Sequence, residues 1–199
     1  MINEKPTLFV FAGNNGSGKS TLRNLIGEKI GIKTSIDPDS LTRKHQRFNV
    51  KSPEIQAGKE AITLIRTYIA DGNSFSMETT LSGKTSLRQI KNASKNGFEV
   101  IMFFIGLDHV DLNIARVKQR VKSGGHHIPE KDIIRREERV KRNLLKIISY
   151  LDQIIVLDNT EEQAEMIMNF KNNSIYYAAK ELPPWAKDIK KELHYSKRS

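Results

Sequence analysis

Short apolar segments alternate along this chain with longer segments in which apolar residues recur at helical spacing. The apolar segments are residues 7–11, 34–36, 74–77, 100–105 and 154–157. The run Val-Ile-Met-Phe-Phe-Ile at 100–105 is typical of a central parallel strand covered on both faces. Strands that alternate with helices in this way predict an α/β fold, a doubly wound parallel sheet flanked by helices.

Capping and turn residues mark the predicted helices. Ser52 is a candidate N-cap and Pro53 a candidate first helical residue, and their helix ends at the turn 71–73. Another helix is predicted over 84–95. From Asp108 one helix leads to the glycine-rich stretch 124–130, and a basic helix continues from there to about residue 150.

The pattern changes beyond residue 160. Residues 166–170 and 174–178 flank 171–173 like the strands of a hairpin, and a short helix is predicted from Pro183. A length of 199 residues suits one domain. We therefore predict a single domain over 1–199, with a core at about 7–160, a helical lid at about 116–142 and a C-terminal extension at 161–199.

The composition is ordinary for a soluble globular protein, with 38% hydrophobic and 28% charged residues. The chain has no cysteine, which excludes disulfides, zinc–thiolate sites and thiol nucleophiles. No charged-then-apolar leader opens it, and no apolar run approaches the ~20 residues that a membrane span needs. We expect a cytoplasmic protein with no membrane partner.

Much of the net charge of +10 lies in one segment. Between residues 114 and 142, ten basic residues oppose four acidic ones. Such a cluster favours an anionic partner, whether a nucleic acid, an acidic protein or the phosphates of a small substrate. The alternative is a solvated helix face with i,i+4 pairs such as Asp132–Arg136 and Glu138–Arg142.

The most informative local motif is Gly-Asn-Asn-Gly-Ser-Gly-Lys-Ser at 13–20, which fits the phosphate-loop pattern at every fixed position. It stands between a predicted strand and a predicted helix, so a chance glycine-rich turn is disfavoured. Its glycines let backbone N–H groups form a nest that binds polyphosphate together with the helix dipole. Lys19 would reach the outer phosphates, and the Ser20 hydroxyl would take one Mg²⁺ position. The predicted nucleotide-binding residues are Gly13, Asn14, Asn15, Gly16, Ser17, Gly18, Lys19, Ser20 and Thr21.

Two acidic segments follow predicted strands at their carboxyl ends, where open α/β sheets bind ligands. The first contains Asp37 and Asp39, and the second is Glu78-Thr79-Thr80. Either aspartate can accept a proton from an acceptor hydroxyl. Either can instead cap the following helix, since Asp-Pro-Asp-Ser is also a good helix start.

Arginines flank the double glycine at 124–125, as suits a lid that closes over phosphates. The candidates are Arg120, Arg135, Arg136 and Arg139. His126 and His127 lie in the same stretch. Two interpretations stand for them, contact with phosphate or exposed loop residues without a role. No metal-ligand spacing marks these histidines as a zinc site.

Taken in order, these segments resemble the zeta toxin-like P-loop kinases. The likeness covers about residues 7–160 and includes the phosphate loop, Asp37-Pro38-Asp39 and Glu-Thr-Thr-Leu-Ser-Gly at 78–83. It continues through Gly-Gly-His-His at 124–127 and Leu-Asp-Asn at 157–159. The string at 78–83 together with the lid stretch is far more specific than the phosphate loop alone.

The resemblance implies an ATP-dependent kinase whose acceptor is a UDP-activated amino sugar, and a toxin held in check by an inhibitory antitoxin protein. It implies that Asp39 is the catalytic base and that Lys19, Arg120 and Arg136 assist catalysis. Arg135, which directly precedes Arg136, is the alternative for this second lid arginine. The implied substrate-binding residues are Asp37, Asp39, Glu78, Thr79 and Thr80.

Two positions depart from the family's pattern. Asp37 stands where asparagine is frequent, and Glu137 follows the lid arginines where an aromatic residue is common. Both departures leave the acceptor open, so a kinase for another nucleotide or metabolite stays an alternative. A nucleic-acid-binding NTPase is a further alternative. It is disfavoured because no aromatic residues are interleaved with the basic ones.

Overall fold

Five parallel strands form the larger part of one sheet. The computed structural model describes residues 5–172 and 174–195. Its strands are β1 (Thr7–Ala12), β2 (Ser35–Ile36), β3 (Phe75–Thr79), β4 (Glu99–Gly106), β5 (Gln153–Asp158), β6 (Glu165–Lys171) and β7 (Ser174–Ala178). The sheet order is β2-β3-β1-β4-β5-β6-β7, and the last two strands are antiparallel to their neighbours. The predicted α/β fold is confirmed, and the predicted hairpin extends the parallel sheet through β5.

Helices connect the strands. They are α1 (Lys19–Lys29), α2 (Pro38–Arg47), α3 (Pro53–Ala70), α4 (Lys84–Lys95), α5 (Val110–Lys122), α6 (Glu130–Leu145) and α7 (Pro184–Tyr195). The bounds predicted for α4 are confirmed. The helix expected from Asp108 begins two residues later, and the helix expected to reach about residue 150 ends at Leu145. A short 3-10 turn, Ile148–Tyr150, occupies the rest of that predicted helix.

The start of α3 differs from its prediction at one residue. Pro53 is at the first helical position as expected, but the Ser52 side chain makes no capping hydrogen bond. Ser52 has a left-handed φ of 55°, whereas a side-chain N-cap normally needs an extended backbone. Its carbonyl oxygen instead accepts from the amides of Ile55 and Gln56.

The glycine pair at 124–125 ends α5. Gly124 has a φ of 84°, and its amide donates to the carbonyl of Val121. The Gly125 amide donates to the carbonyl of Arg120, so the two bonds form a Schellman motif. A β-carbon at Gly125 would press on Arg120. The sharp turn between α5 and α6 therefore depends on glycine.

The buried apolar side chains fall into a large core and smaller clusters. The large core joins the sheet to the helices on one face, and Phe75, Phe98 and Met102 are among its fully buried members. The helices α5 and α6 share a cluster of their own, which contains Ile114, Val117, Ile128, Ile133 and partly buried Val110. This cluster joins α5 to the first part of α6, while Val140 and Leu144 of α6 belong to the large core.

Helix α7 packs on the carboxyl end of β4. The Trp185 ring covers Gly106, where a β-carbon would overlap its six-membered ring. Trp185 also lies 6.1 Å from the ring of Phe104, measured between centroids. The C-terminal extension is thereby attached next to the strand ends. In the part of the chain that the structure describes, no helix has the length and apolarity to cross a membrane.

Candidate active site

The carboxyl ends of the parallel strands bring the predicted site together. The phosphate loop follows β1, Asp37 follows β2, Thr79 ends β3 and Asn159 follows β5. A cleft of about 790 Å³ opens there. It is lined by Asn15, Gly16, Gly18, Lys19, Ser20, Thr21, Leu22, Leu25, Lys29, Asp39, Glu78, Arg116, Arg120, Asn159, Glu161, Glu162, Gln163 and Ala164.

The phosphate loop has the backbone form that its glycines allow. Gly16 and Gly18 have φ angles of 78° and 94°, in the left-handed region. A β-carbon at Gly16 would lie 2.5 Å from the carbonyl oxygen of Asn113, and one at Gly18 would overlap the Asn159 amide. Asn159 also donates to the carbonyl of Ser17 over 2.8 Å. Neighbouring elements therefore hold the loop in one shape.

Several backbone amides at the mouth of α1 are available to a ligand. Among the described residues, the amides of Gly16, Gly18, Lys19 and Ser20 donate to no acceptor. Gly18 occupies the N-cap position and supplies no side-chain cap. Unpaired donors at a helix N-terminus bind anionic groups, and the helix dipole adds to this. These observations fit a polyphosphate, as the motif predicts.

Lys19 is buried at the base of the loop. Its Nζ atom donates to the carbonyl of Asn14 over 2.9 Å. Burial lowers the pKa of Lys19, while the carboxylates of Glu78, Asp39 and Asp37 favour its charged form. An ammonium group in this position can pair with phosphate oxygens in the cleft.

Glu78 and Asp37 form a carboxylate cluster beside Ser20. The Ser20 hydroxyl donates to Glu78 Oε1 over 2.9 Å. Arg23 Nη1 lies 3.6 Å from Glu78 Oε2 and 3.7 Å from Asp37 Oδ2. Burial raises the pKa of Glu78, and Asp37 adds to this effect, while Lys19, Ser20 and Arg23 oppose it. Arg23 was not predicted, because nothing in its local sequence indicates a partner 55 residues away on β3.

The two aspartates after β2 have different surroundings. Asp37 is buried and is the N-cap of α2, where its Oδ1 atom accepts from the Asp39 amide over 2.9 Å. Asp39 is exposed and lines the cleft. Of the two possibilities for this pair, Asp37 takes the capping position, and Asp39 lines the cleft.

Thr79 and Thr80 lie next to the cluster, in a turn whose shape uses their hydroxyls. The Thr79 hydroxyl accepts from the amide of Leu81, which has a left-handed φ of 57°. The Thr80 hydroxyl is bonded to that of Ser82 over 2.9 Å. Neither threonine lines the cleft itself.

The arginines predicted for the lid differ in the contacts that they make. Arg120 lines the cleft, and its Nη2 atom donates to the carbonyl of His126 over 3.1 Å. Arg136 Nη1 donates to Asn15 Oδ1 over 2.7 Å, so it reaches the phosphate loop. Arg135 is exposed and pairs with Asp132 instead. The expected Asp132–Arg136 pair is therefore wrong, because Arg136 has a tertiary partner.

Four of the ten basic residues at 114–142 have an acidic partner within the segment. Lys118 pairs with Glu130 over 2.7 Å, and the predicted Glu138–Arg142 pair is present at 3.8 Å. His126 and His127 are exposed. Within residues 5–172 and 174–195, no group of three or more histidine, aspartate or glutamate side chains is arranged to hold a metal ion.

Comparison with known proteins gives one family. The sequence profile of the zeta toxin family matches residues 2–173. An uncharacterized protein of Haemophilus influenzae is 42% identical over 125 residues, which are 63% of this chain and 87% of that protein.

Solved structures show the same fold at low identity. The PezAT toxin–antitoxin system of Streptococcus pneumoniae matches at 19% identity and a TM-score of 0.63, over 97% of this chain and 80% of that one. The AvrRxo1-ORF1:-ORF2 structure with ATP matches at 17% identity and a TM-score of 0.69, over 95% of this chain and 64% of that one. The likeness confirms the P-loop NTPase-type fold.

The family match spans most of the chain, and it agrees with the phosphate loop, the strand-end carboxylates and Arg120, which the structure brings to one cleft at the edge of the sheet. Family and fold together support a nucleotide-binding, ATP-dependent kinase. This protein belongs to the zeta toxin family.

Proposed function

We propose that this protein transfers the γ-phosphate of ATP to a hydroxyl group of a UDP-activated amino sugar. The observation that carries the proposal is that Lys19 and Asp39 line one cleft, with Glu78 beside them. Phosphoryl transfer needs a held polyphosphate, charge neutralisation and a base near the acceptor hydroxyl, and this cleft offers a group for each. The acceptor class comes from the family resemblance.

On the nucleotide side, the free amides of the loop and the Lys19 ammonium bind the phosphates of ATP. The residues at this position are 13–21, and Lys19 reaches the oxygens on which charge develops. When bound, Mg²⁺ would help to neutralise the charge of the phosphates. The Ser20 hydroxyl is the side-chain ligand that the loop offers, and Mg²⁺ is typically held by few protein groups together with phosphate oxygens and water.

On the acceptor side, Asp39 accepts the proton of the attacking hydroxyl. It is exposed to the cleft, so a substrate can reach it. Glu78 and Asp37 hold polar groups of the acceptor from the buried side, while Thr79 and Thr80 shape the turn that borders it. Removing water as the substrate fills the cleft strengthens each of these contacts.

The lid supplies positive charge during transfer. Arg120 lines the cleft, and Arg136 stands on the phosphate loop at Asn15. A guanidinium has five donors, so Arg136 can keep this bond and still contact a phosphoryl group. Arginines in such positions stabilise the charge on the transferred group.

Two further proposals follow from the family. An inhibitory antitoxin protein is proposed as a partner, because the structurally similar PezAT is a toxin–antitoxin system. The cytoplasm, where ATP and UDP-sugars are found, is proposed as the place of action.

The test is to incubate the protein with ATP, Mg²⁺ and a panel of UDP-sugars, other nucleotides and metabolites, with and without nucleic acid, and to search the products by mass spectrometry for one added phosphate. We expect a phosphorylated UDP-amino sugar, with no such product from the Lys19→Ala variant. A phosphorylated nucleotide or metabolite of another class would contradict the acceptor while retaining a kinase. ATP hydrolysis stimulated by nucleic acid, with no small-molecule product, would favour the NTPase alternative.

A further inference from the structure

The phosphate loop is bonded to the lid through the side chain of Asn14. This side chain is buried, with 4% of the residue exposed. Its Nδ2 atom donates to the carbonyl of Ile133 over 3.0 Å and to Glu137 Oε2 over 2.9 Å, and both acceptors are on α6. The first variable position of the loop is thus attached to the second lid helix.

The rest of Asn14 is bonded within the loop. Its Oδ1 atom accepts from the Asn15 amide over 2.8 Å, and its backbone carbonyl accepts from Lys19 Nζ over 2.9 Å. A shift of Asn14 would therefore displace a bonding partner of Lys19. Contacts at α6 and contacts at the phosphate-binding lysine share this one residue.

Asn15 makes the corresponding contacts to both lid helices. Its Oδ1 atom accepts from Arg136 Nη1 over 2.7 Å, and its carbonyl accepts from Asn113 Nδ2 on α5 over 2.7 Å. Arg136 and Glu137 are adjacent in the chain and bond to adjacent asparagines of the loop. Besides its apolar packing in the main core, α6 is thus bonded to the loop at two neighbouring points.

Glu137 is suited to hold the contact with Asn14 because its carboxylate is partly buried and has a second partner. Its side chain is 27% exposed, and its Oε1 atom lies 3.3 Å from Lys141 Nζ. A hydrogen bond between an amide and a carboxylate is stronger than one between neutral groups.

We propose that Glu137 is a positioning residue of the kinase: by holding Asn14, it sets α6 so that Arg136 stands at the phosphate loop. The inference rests on the proposed function and adds a residue that acts through Arg136 and does not touch the substrate. Since Arg136 acts on charge that develops during transfer, the loss of Glu137 should lower kcat more than it raises the KM for ATP.

The test compares Glu137→Ala, Glu137→Gln and Glu138→Ala in the full chain. We expect Glu137→Ala to lower kcat by about 10- to 100-fold, the range expected when a hydrogen bond to a charged group is lost. Glu137→Gln should stay near the unmodified rate, because its amide oxygen can still accept from Asn14. Glu138→Ala is the matched control, since that side chain is 87% exposed and pairs with Arg142 on the outer face.

A double-mutant comparison separates positioning from general loss of structure. In an Arg136→Ala background, Glu137→Ala should add little further loss of kcat, because the residue it positions is gone. Equal losses of kcat in both backgrounds would overturn the proposal. So would equal activities of Glu137→Ala and Glu138→Ala at matched thermal stability.

Hydrogen exchange tests the contact without relying on activity. In nucleotide-free protein, we expect faster amide exchange in residues 130–141 for Glu137→Ala and unchanged exchange for Glu138→Ala. If the unmodified protein transfers no phosphate while exchange still rises, the proposed function fails and the lid contact is supported. Unchanged exchange in Glu137→Ala, with normal transfer, overturns the inference alone.

Discussion

The two sides of the cleft are built in different ways. The phosphate-loop side, residues 13–21, is a short continuous segment whose shape depends on its own glycines and on Asn113 and Asn159 packed against it. The proposed acceptor side consists of Asp37, Asp39 and residues 78–80, which come from two strand ends and meet only in the folded chain. The first side is fixed by backbone geometry and the second by a cluster of charges.

The two sides therefore differ in how freely their residues can be exchanged. A β-carbon at Gly16 or Gly18 would overlap neighbouring elements, so the loop has little freedom to vary. The acceptor side is bordered by side chains such as Arg23, Asp37 and Glu78, whose balance of charge can change by single substitutions.

The largest expected effect on the phosphate-loop side is that of Lys19→Ala. Loss of the ammonium removes a buried cation that lines the cleft, so we expect kcat/KM for ATP to fall by about 10²- to 10³-fold. Steady-state kinetics measures this, with Lys33→Ala as an exposed control. Retention of ATP affinity and turnover in Lys19→Ala would show that the loop is not the phosphate site.

The lid contribution should be smaller and should fall on one of two adjacent arginines. Arg136→Ala is expected to lower kcat by about 10²-fold, as for loss of one preorganised donor. Arg135→Ala should stay within about twofold, because its exposed pair with Asp132 contributes little. The opposite result, with Arg135→Ala impaired and Arg136→Ala active, would move the lid register by one residue.

The smallest effect concerns stability on the acceptor side. Burial raises the pKa of Glu78, so the folded state binds its proton more tightly than the unfolded state does. The stability associated with this group is present below the unfolded pKa and is lost as pH rises through the folded pKa. Glu78→Gln should therefore be more heat-stable than the unmodified protein near neutral pH while losing acceptor contact.

Thermal unfolding followed across pH checks this, with Glu138→Gln as an exposed control. The stability difference for Glu78→Gln should close as the pH approaches the ordinary pKa of a glutamate, about 4.3. A difference that persists unchanged at low pH would mean that packing, and not charge burial, separates the two proteins.

Local patterns sufficed for much of the fold and for the phosphate loop. The glycine spacing at 13–20 directly determines the backbone shape of the loop. The bounds of α4 could be predicted because turn residues stand on either side of it. The segment Asp-Pro-Asp-Ser predicts that an aspartate caps α2, but it does not indicate which of the two. Only the folded chain shows that Asp37 is the cap.

The sequence pattern could not predict contacts between residues that are far apart in the chain. Spacing alone pairs Asp132 with Arg136, yet Asn15 is the better-placed partner of Arg136 once α6 lies over the loop. Asn113 and Asn159 are 98 and 142 residues from the loop residues that they bond, and an asparagine carries no local sign of such a role. Ser52 fails as a side-chain cap because its backbone conformation is left-handed.

The division of the cleft is tested most directly by measuring ATP affinity and phosphoryl transfer together in Asp39→Asn. Asparagine keeps the size of the side chain and removes the base, whose contribution is about 10²- to 10⁴-fold. We predict an ATP dissociation constant close to that of the unmodified protein and almost no transfer to the UDP-amino sugar. Full transfer in Asp39→Asn would contradict its assignment as the base, and a lost ATP affinity would contradict the separation of the two sides.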